Sequence, residues 1–258
     1  MQGTYNGWLV ALSIVVAILV AYTALKLAAR VAEADRSVSR LWLLGGAAVM
    51  GVGIWSMHFI GMLAFSLPIP LLFDISTILV SLLIAIVTSG MAIKITSGSH
   101  LSPNRLIAGA LVLGAGISAM HYSGMAAIQI VPMIRYEPAL VAASVAVALV
   151  GSFAALLLAF HMRFGKSRTI MLARFAAAVI VGFAISGMHY TAMAASIFGP
   201  RSFCRGGVLL NNEWLSLTIA AITVGLLAVT LIIEMYDAQL AATSRLHAGR
   251  LEQVPDAR

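Results

Sequence analysis

The sequence predicts an all-α, polytopic membrane protein: seven transmembrane helices, laid out as three parallel two-helix repeats and a final helix. Three observations predict it. First, 61% of the 258 residues are hydrophobic and only 10% are charged, more apolar side chain than one water-soluble core can bury. Second, the apolar residues fall into seven runs of about 20 or more, the length that crosses a hydrocarbon core. Third, three of these runs align without gaps and close on near-identical heptapeptides.

The first run, 7–25, lacks the basic leader and small-residue cleavage site of a signal peptide and reads as a retained helix. The second, 41–66, carries "LLGGAAVMGVGIWSMHFIGMLAF" (43–65). The third, 75–95, follows Asp74, and the fifth, 139–162, follows Glu137; acidic residues there suit N-terminal capping and the helix dipole. The fourth, 106–131, carries "LIAGALVLGAGISAMHYSGMAAI" (106–128), and the sixth, 171–197, carries "RFAAAVIVGFAISGMHYTAMAAS" (174–196). The seventh, 214–236, follows Glu213 and gives way to a polar tail. The chain therefore divides into a membrane domain, 1–236, and a cytoplasmic tail, 237–258.

The basic residues set the expected orientation. Lys26, Arg30, Arg36, Arg40, Lys94, Arg105, Arg163, Lys166, Arg168, Arg174, Arg245, Arg250 and Arg258 fall on one side of a seven-span layout, against Arg135, Arg201 and Arg205 on the other. The positive-inside bias puts the N-terminus outside and the C-terminus inside. The net charge of +7 is then an orientation signal and a contact with anionic lipid, with no aromatic interleaving of the kind that binds nucleic acid.

In this layout the second, fourth and sixth helices run in the same direction, from inside to outside. His58, His121 and His189 stand 17, 16 and 15 residues from the inner markers Leu41, Arg105 and Arg174, so all three share one depth in the outer leaflet. Each is followed four residues later by a methionine, Met62, Met125 or Met193, on the same helix face. The preceding methionines, Met57, Met120 and Met188, are rotated by about 100° from the histidines. One buried histidine is more often a packing residue and one methionine a gap filler. Three copies at one depth on co-directional helices point instead to function. Imidazoles suit copper, zinc or iron, and thioethers select copper(I); haem held by two histidines is an alternative. The glycines before the motifs, Gly51, Gly53, Gly114 and Gly116, read as close helix packing.

The triple "MHFIGM", "MHYSGM", "MHYTAM" resembles the bacterial MHYT-domain family of seven-helix membrane sensors, over residues 1 to 236. The resemblance implies a copper site on Met57, His58, Met62, Met120, His121, Met125, Met188, His189 and Met193, and sensing of oxygen, carbon monoxide or nitric oxide. It implies a bacterial inner-membrane location and a cytoplasmic output domain, in cis or in trans, acting in cyclic di-GMP turnover, with 237–258 as the start of a linker to it. Partners expected are the diatomic gas, the lipid bilayer, the output domain and, as an open alternative, a second copy in a homodimer. Phe59 and Ile60 in the first copy and Ala192 in the third depart from the family pattern without touching the ligand positions.

Zinc and haem remain the alternatives to copper, and a copper-dependent membrane enzyme or a copper-binding or transport protein the alternatives to a sensor. The three lysines all lie at inner helix ends, which excludes a retinal Schiff base. No nucleophile elbow, phosphate loop or paired carboxylate marks this region as catalytic. His100, His161 and His247 share no spacing and read as interfacial or tail residues, and Cys204, the single cysteine, lies in an external loop and cannot form an internal disulfide.

Overall fold

The structure is a computed structural model; it describes residues 3–33, 36–69, 71–98, 100–163, 168–200, 202–204, 210–211 and 213–226, with isolated positions beyond. The expected tail lies outside the described residues apart from Gln239. Among the described residues, six helices are long and apolar enough to span a membrane: α1 (Gly7–Glu33), α2 (Arg36–Ala64), α3 (Ile75–Thr96), α4 (Pro103–Ala126), α5 (Pro138–His161) and α6 (Arg168–Ala194). A shorter apolar helix, α7 (Glu213–Leu226), starts the expected seventh span, whose remainder lies outside the continuously described residues. The chain is an integral membrane protein.

The helix ends differ from the sequence reading in an informative way. α1 runs to residue 33 and α2 begins at 36, because helix continues past the apolar run into its basic flank. α4 stops at 126 and α6 at 194, short of the apolar runs that suggested 131 and 197. There the chain turns extended: Ile130–Val131 pairs with Phe203–Cys204, and Ser196–Ile197 with Arg135–Tyr136, in two-residue antiparallel ladders. Hydrophobicity alone does not separate the end of a buried helix from a short apolar strand.

Each helix packs on the next, and α6 returns to α1, so the six close into a ring. Small residues make the close approaches. A Cβ on Gly51 would meet the Ala85 carbonyl carbon of α3 at 2.8 Å, one on Gly114 the Leu149 Cα of α5 at 2.9 Å, and one on Gly182 the Ile18 Cα of α1 at 2.8 Å. All three glycines stand seven residues before a motif histidine. Each even helix thus lies backbone to backbone against the odd helix of the following pair.

The same threefold order fastens the motif-bearing ends. Asn6, Asp74 and Glu137, immediately before α1, α3 and α5, donate their backbone N–H to the carbonyls of Ala64, Ala127 and Ala195 at 2.8, 2.8 and 2.9 Å. Each alanine stands six residues after a motif histidine, so each pair is tied internally at one end. The side chains of the same residues cap the odd helices: Asp74 accepts from the Thr77 N–H, and Glu137 from those of Ala139 and Leu140.

Candidate metal centre

The even helices carry His58, His121 and His189 to the middle of this ring. All three are buried, with at most 1% of their surface exposed. Their Nδ1 atoms face one another: His58 to His189 and His121 to His58 at 3.1 Å, and His189 to His121 at 3.3 Å. The rings stand nearly perpendicular in each pair, with centroids 4.8, 5.1 and 5.2 Å apart. Equal depth, read from counting residues, is here a direct meeting.

Protons do not satisfy this cluster. A neutral imidazole has one N–H and one lone pair. The three Nε2 atoms are buried without a hydrogen-bond partner. If the protons sit there, three Nδ1 lone pairs converge with nothing between them; if they sit on Nδ1, three hydrogens converge instead. Mixed arrangements still leave buried nitrogens unpaired, which costs free energy in an apolar interior. A single cation shared by the three Nδ1 lone pairs removes the conflict. Nitrogens bound in one plane at roughly 2.0–2.1 Å lie about 3.5 Å apart, a few tenths of an ångström wider than here, so slight ring rotation admits one ion. Three histidines within this reach form a cluster able to hold a metal ion.

The ring faces are fixed by aromatic neighbours. Phe59, Tyr122 and Tyr190, each following its histidine, pack edge-on to it with centroids at 4.8, 5.0 and 4.7 Å. The tyrosines also bond outward, Tyr190 to Ser13 at 2.7 Å and Tyr122 to Ser144 at 2.8 Å. The first copy has Phe59, yet its station is filled: Trp55, one turn earlier, donates its indole N–H to Ser81 at 3.1 Å. Ser13, Ser81 and Ser144 each donate their own hydroxyl to the carbonyl three residues back, so the aromatic partner is the donor every time. Sequence reading missed these serines. They were findable, because they are spaced 68 then 63 residues apart, against 63 then 68 for the histidines.

The methionines divide less sharply. Met62, Met125 and Met193, and Met57, Met120 and Met188, are all buried, none above 3% exposed. Both sets belong to the same interior as the histidines, and no sulfur serves as a hydrogen-bond partner to an imidazole Nε2. His161 and His100 lie apart from the centre: the His161 ring bonds to the Leu157 carbonyl, and the His100 carbonyl accepts from Arg105. His247 lies outside the described residues.

The fold and the site define an integral membrane protein with a buried three-histidine centre. The family described as "MHYT: Bacterial signalling protein N terminal repeat" matches residues 1–43, 51–109 and 114–172, and the chain belongs to it. His189 falls beyond the last matched stretch; internal alignment with His58 and His121 brings it into the set. The chain is 47% identical over 249 residues to the bifunctional diguanylate cyclase/cyclic di-GMP phosphodiesterase MucR of Pseudomonas aeruginosa, covering 96% of this chain and 36% of that protein. It is 39% identical over 194 residues to the cyclic di-GMP phosphodiesterase NbdA of the same organism, covering 75% of this chain and 25% of that protein. The signaling protein YkoW of Bacillus subtilis is 38% identical over 196 residues, covering 76% of this chain and 24% of its own length. The chain thus spans about a third or less of these relatives. No solved structure matches it. It is an MHYT signalling membrane sensor domain.

Proposed function

We propose that His58, His121 and His189 hold one metal ion, copper in the first instance, and that the domain reports a diatomic gas at that ion to a cytoplasmic output acting in cyclic di-GMP turnover. The observation that carries this reading is the convergence of three buried Nδ1 atoms with too few protons to satisfy them. Bound copper would supply affinity for a small uncharged ligand and one-electron chemistry. The chain's own residues exclude water, hold the imidazoles edge to edge and offer thioethers nearby, a soft environment that favours copper(I) over zinc. Three nitrogens within 3.3 Å of one another leave no slot for a porphyrin between two of the rings.

What lies beneath the histidines favours sensing over transport. Ile54, Ile117 and Ile185 stand one turn below them, with Met50, Leu113 and Val181 a turn further. These residues line adjoining apolar cavities, the larger of about 40 Å³. A lining of this apolar kind suits small apolar molecules better than ions, and a lone thioether, Met50, makes no ladder of metal ligands along these layers. The basic asymmetry of the loops supports an outward-facing site in the bacterial inner membrane. The names of MucR and NbdA support the cyclic di-GMP output.

The test is to load the reconstituted chain with copper(I) without air and add nitric oxide, carbon monoxide or oxygen. We expect a change in absorption or EPR, and, in the full-length protein, altered distances between spin labels at 236–246. A metal that answers to gas while those distances stay fixed makes the centre a store or an enzyme site.

A further inference from the structure

We infer that Gly61 and Gly124 are positioning residues that hold the histidine rings so that the centre takes a single ion through Nδ1 alone. This rests on the metal reading above and adds to it the donor atom, the number of ions and the residues that enforce both.

A ligating histidine ordinarily has its second nitrogen held by a carboxylate, carbonyl or water, which fixes the ring and its tautomer. Here the second nitrogen has no such partner on any of the three rings. Shape replaces it. A Cβ built on Gly124 would overlap the Nε2 of His58 and lie 3.0 Å from its Cδ2; one built on Gly61 would overlap the Nε2 of His189 and lie 2.9 and 3.1 Å from its Cδ2 and Cε1. The Nε2 edges of His58 and His189 are seated where a neighbouring helix carries no side chain, and their Nδ1 atoms are left pointing into the cluster.

The seats follow the cyclic order of the fold. His58 of the first pair rests on Gly124 of the second, and His189 of the third rests on Gly61 of the first. Each glycine stands three residues after its own motif histidine, and the same step assigns Ala192 to His121. Ala192 is fully buried. Two rings therefore sit where a Cβ would collide with them, and the repeat places an alanine at the third equivalent position. With the Nε2 edges of His58 and His189 closed by helix backbone and that of His121 buried, a second ion has no approach on that side, and the three Nδ1 atoms enclose room for one.

The experiment uses the whole purified chain with histidine ring nitrogens labelled with ¹⁵N. On loading with copper(I), the Nδ1 resonances of all three rings should shift to metal-bound values while Nε2 stays protonated, at one ion per chain. Gly61→Ala and Gly124→Ala should each weaken copper(I) binding at least tenfold in chelator competition, the lower end of what losing a group that orients a ligand costs. Ala192→Gly should bind as tightly as the natural chain. In metal-free protein, Gly61→Ala should move the ring signals of His189 more than those of His121. That readout, like the donor-atom assignment in the natural chain, does not depend on the alanine variants binding metal. Coordination through Nε2, two ions per chain, or alanine variants within twofold of the natural affinity would overturn the inference. A natural chain that binds no metal would instead remove the reading beneath it, and the His189 signals of Gly61→Ala would still test the seating.

Discussion

The hydroxyl of Tyr190 donates to that of Ser13 across 2.7 Å, joining α6 to α1 and closing the ring of helices beside the third histidine. Tyr122 to Ser144 and Trp55 to Ser81 are the equivalent links of the other two pairs. Hydrogen bonds between membrane helices average about 0.6 kcal/mol and reach about 1.7 kcal/mol. Tyr190→Phe and Tyr122→Phe should each lower unfolding stability in that range, and Trp55→Phe should cost more because it also removes buried ring volume. Phe59→Tyr should gain nothing, since Ser81 already accepts from Trp55. Denaturant or thermal unfolding in detergent reads all four.

The methionines four residues after the histidines should act on selectivity more than on total binding. Replacing Met62, Met125 and Met193 together by leucine, a substitution of similar volume, should leave zinc binding near its natural level and reduce the preference for copper(I) over zinc. Competition between the two ions measures this. Equal loss of both would place the thioethers in a general structural role.

Asp74 offers a pH test outside the membrane. Its carboxylate accepts from the side-chain hydroxyl and the backbone N–H of Thr77, which holds its pKa below the ordinary value. The stabilisation is therefore present at neutral pH, above the unfolded pKa, and is lost as pH falls through the lowered folded value. The stability difference between the natural chain and Asp74→Asn should shrink on acidification; a difference that grows would contradict the cap.

Cys204 tests the orientation. It sits in the short strand paired with Ile130, on the face where the even helices end and the motifs lie. A membrane-impermeant thiol reagent should reach it from the outside of intact cells or spheroplasts. Labelling only from the inner side would reverse the orientation and put the centre in the inner leaflet.

Much of this was legible because repetition in the sequence is repetition in space. The three histidines could be placed at one depth by counting from Leu41, Arg105 and Arg174, since a helix advances a fixed distance per residue. Their meeting through Nδ1 was not legible, because ring rotation is set by neighbours on other helices, Gly61 and Gly124 among them. Phe59 stands where the other copies have Tyr122 and Tyr190, and the sequence did not show that Trp55, a turn away, makes the bond to the same station. The ends of α4 and α6 were misplaced because Ile128, Ile130 and Ile197 are apolar in any conformation.

If His58, His121 and His189 jointly hold one metal ion, as we propose, removing them must empty the centre. Elemental analysis of the purified chain, beside the single alanine variants of His58, His121 and His189 and the triple variant, tests it most directly. We expect about one copper per natural chain, a sharp loss in each single variant because a third of the nitrogen ligands is gone, and none above background in the triple variant. A triple variant with the metal content of the natural chain would contradict it.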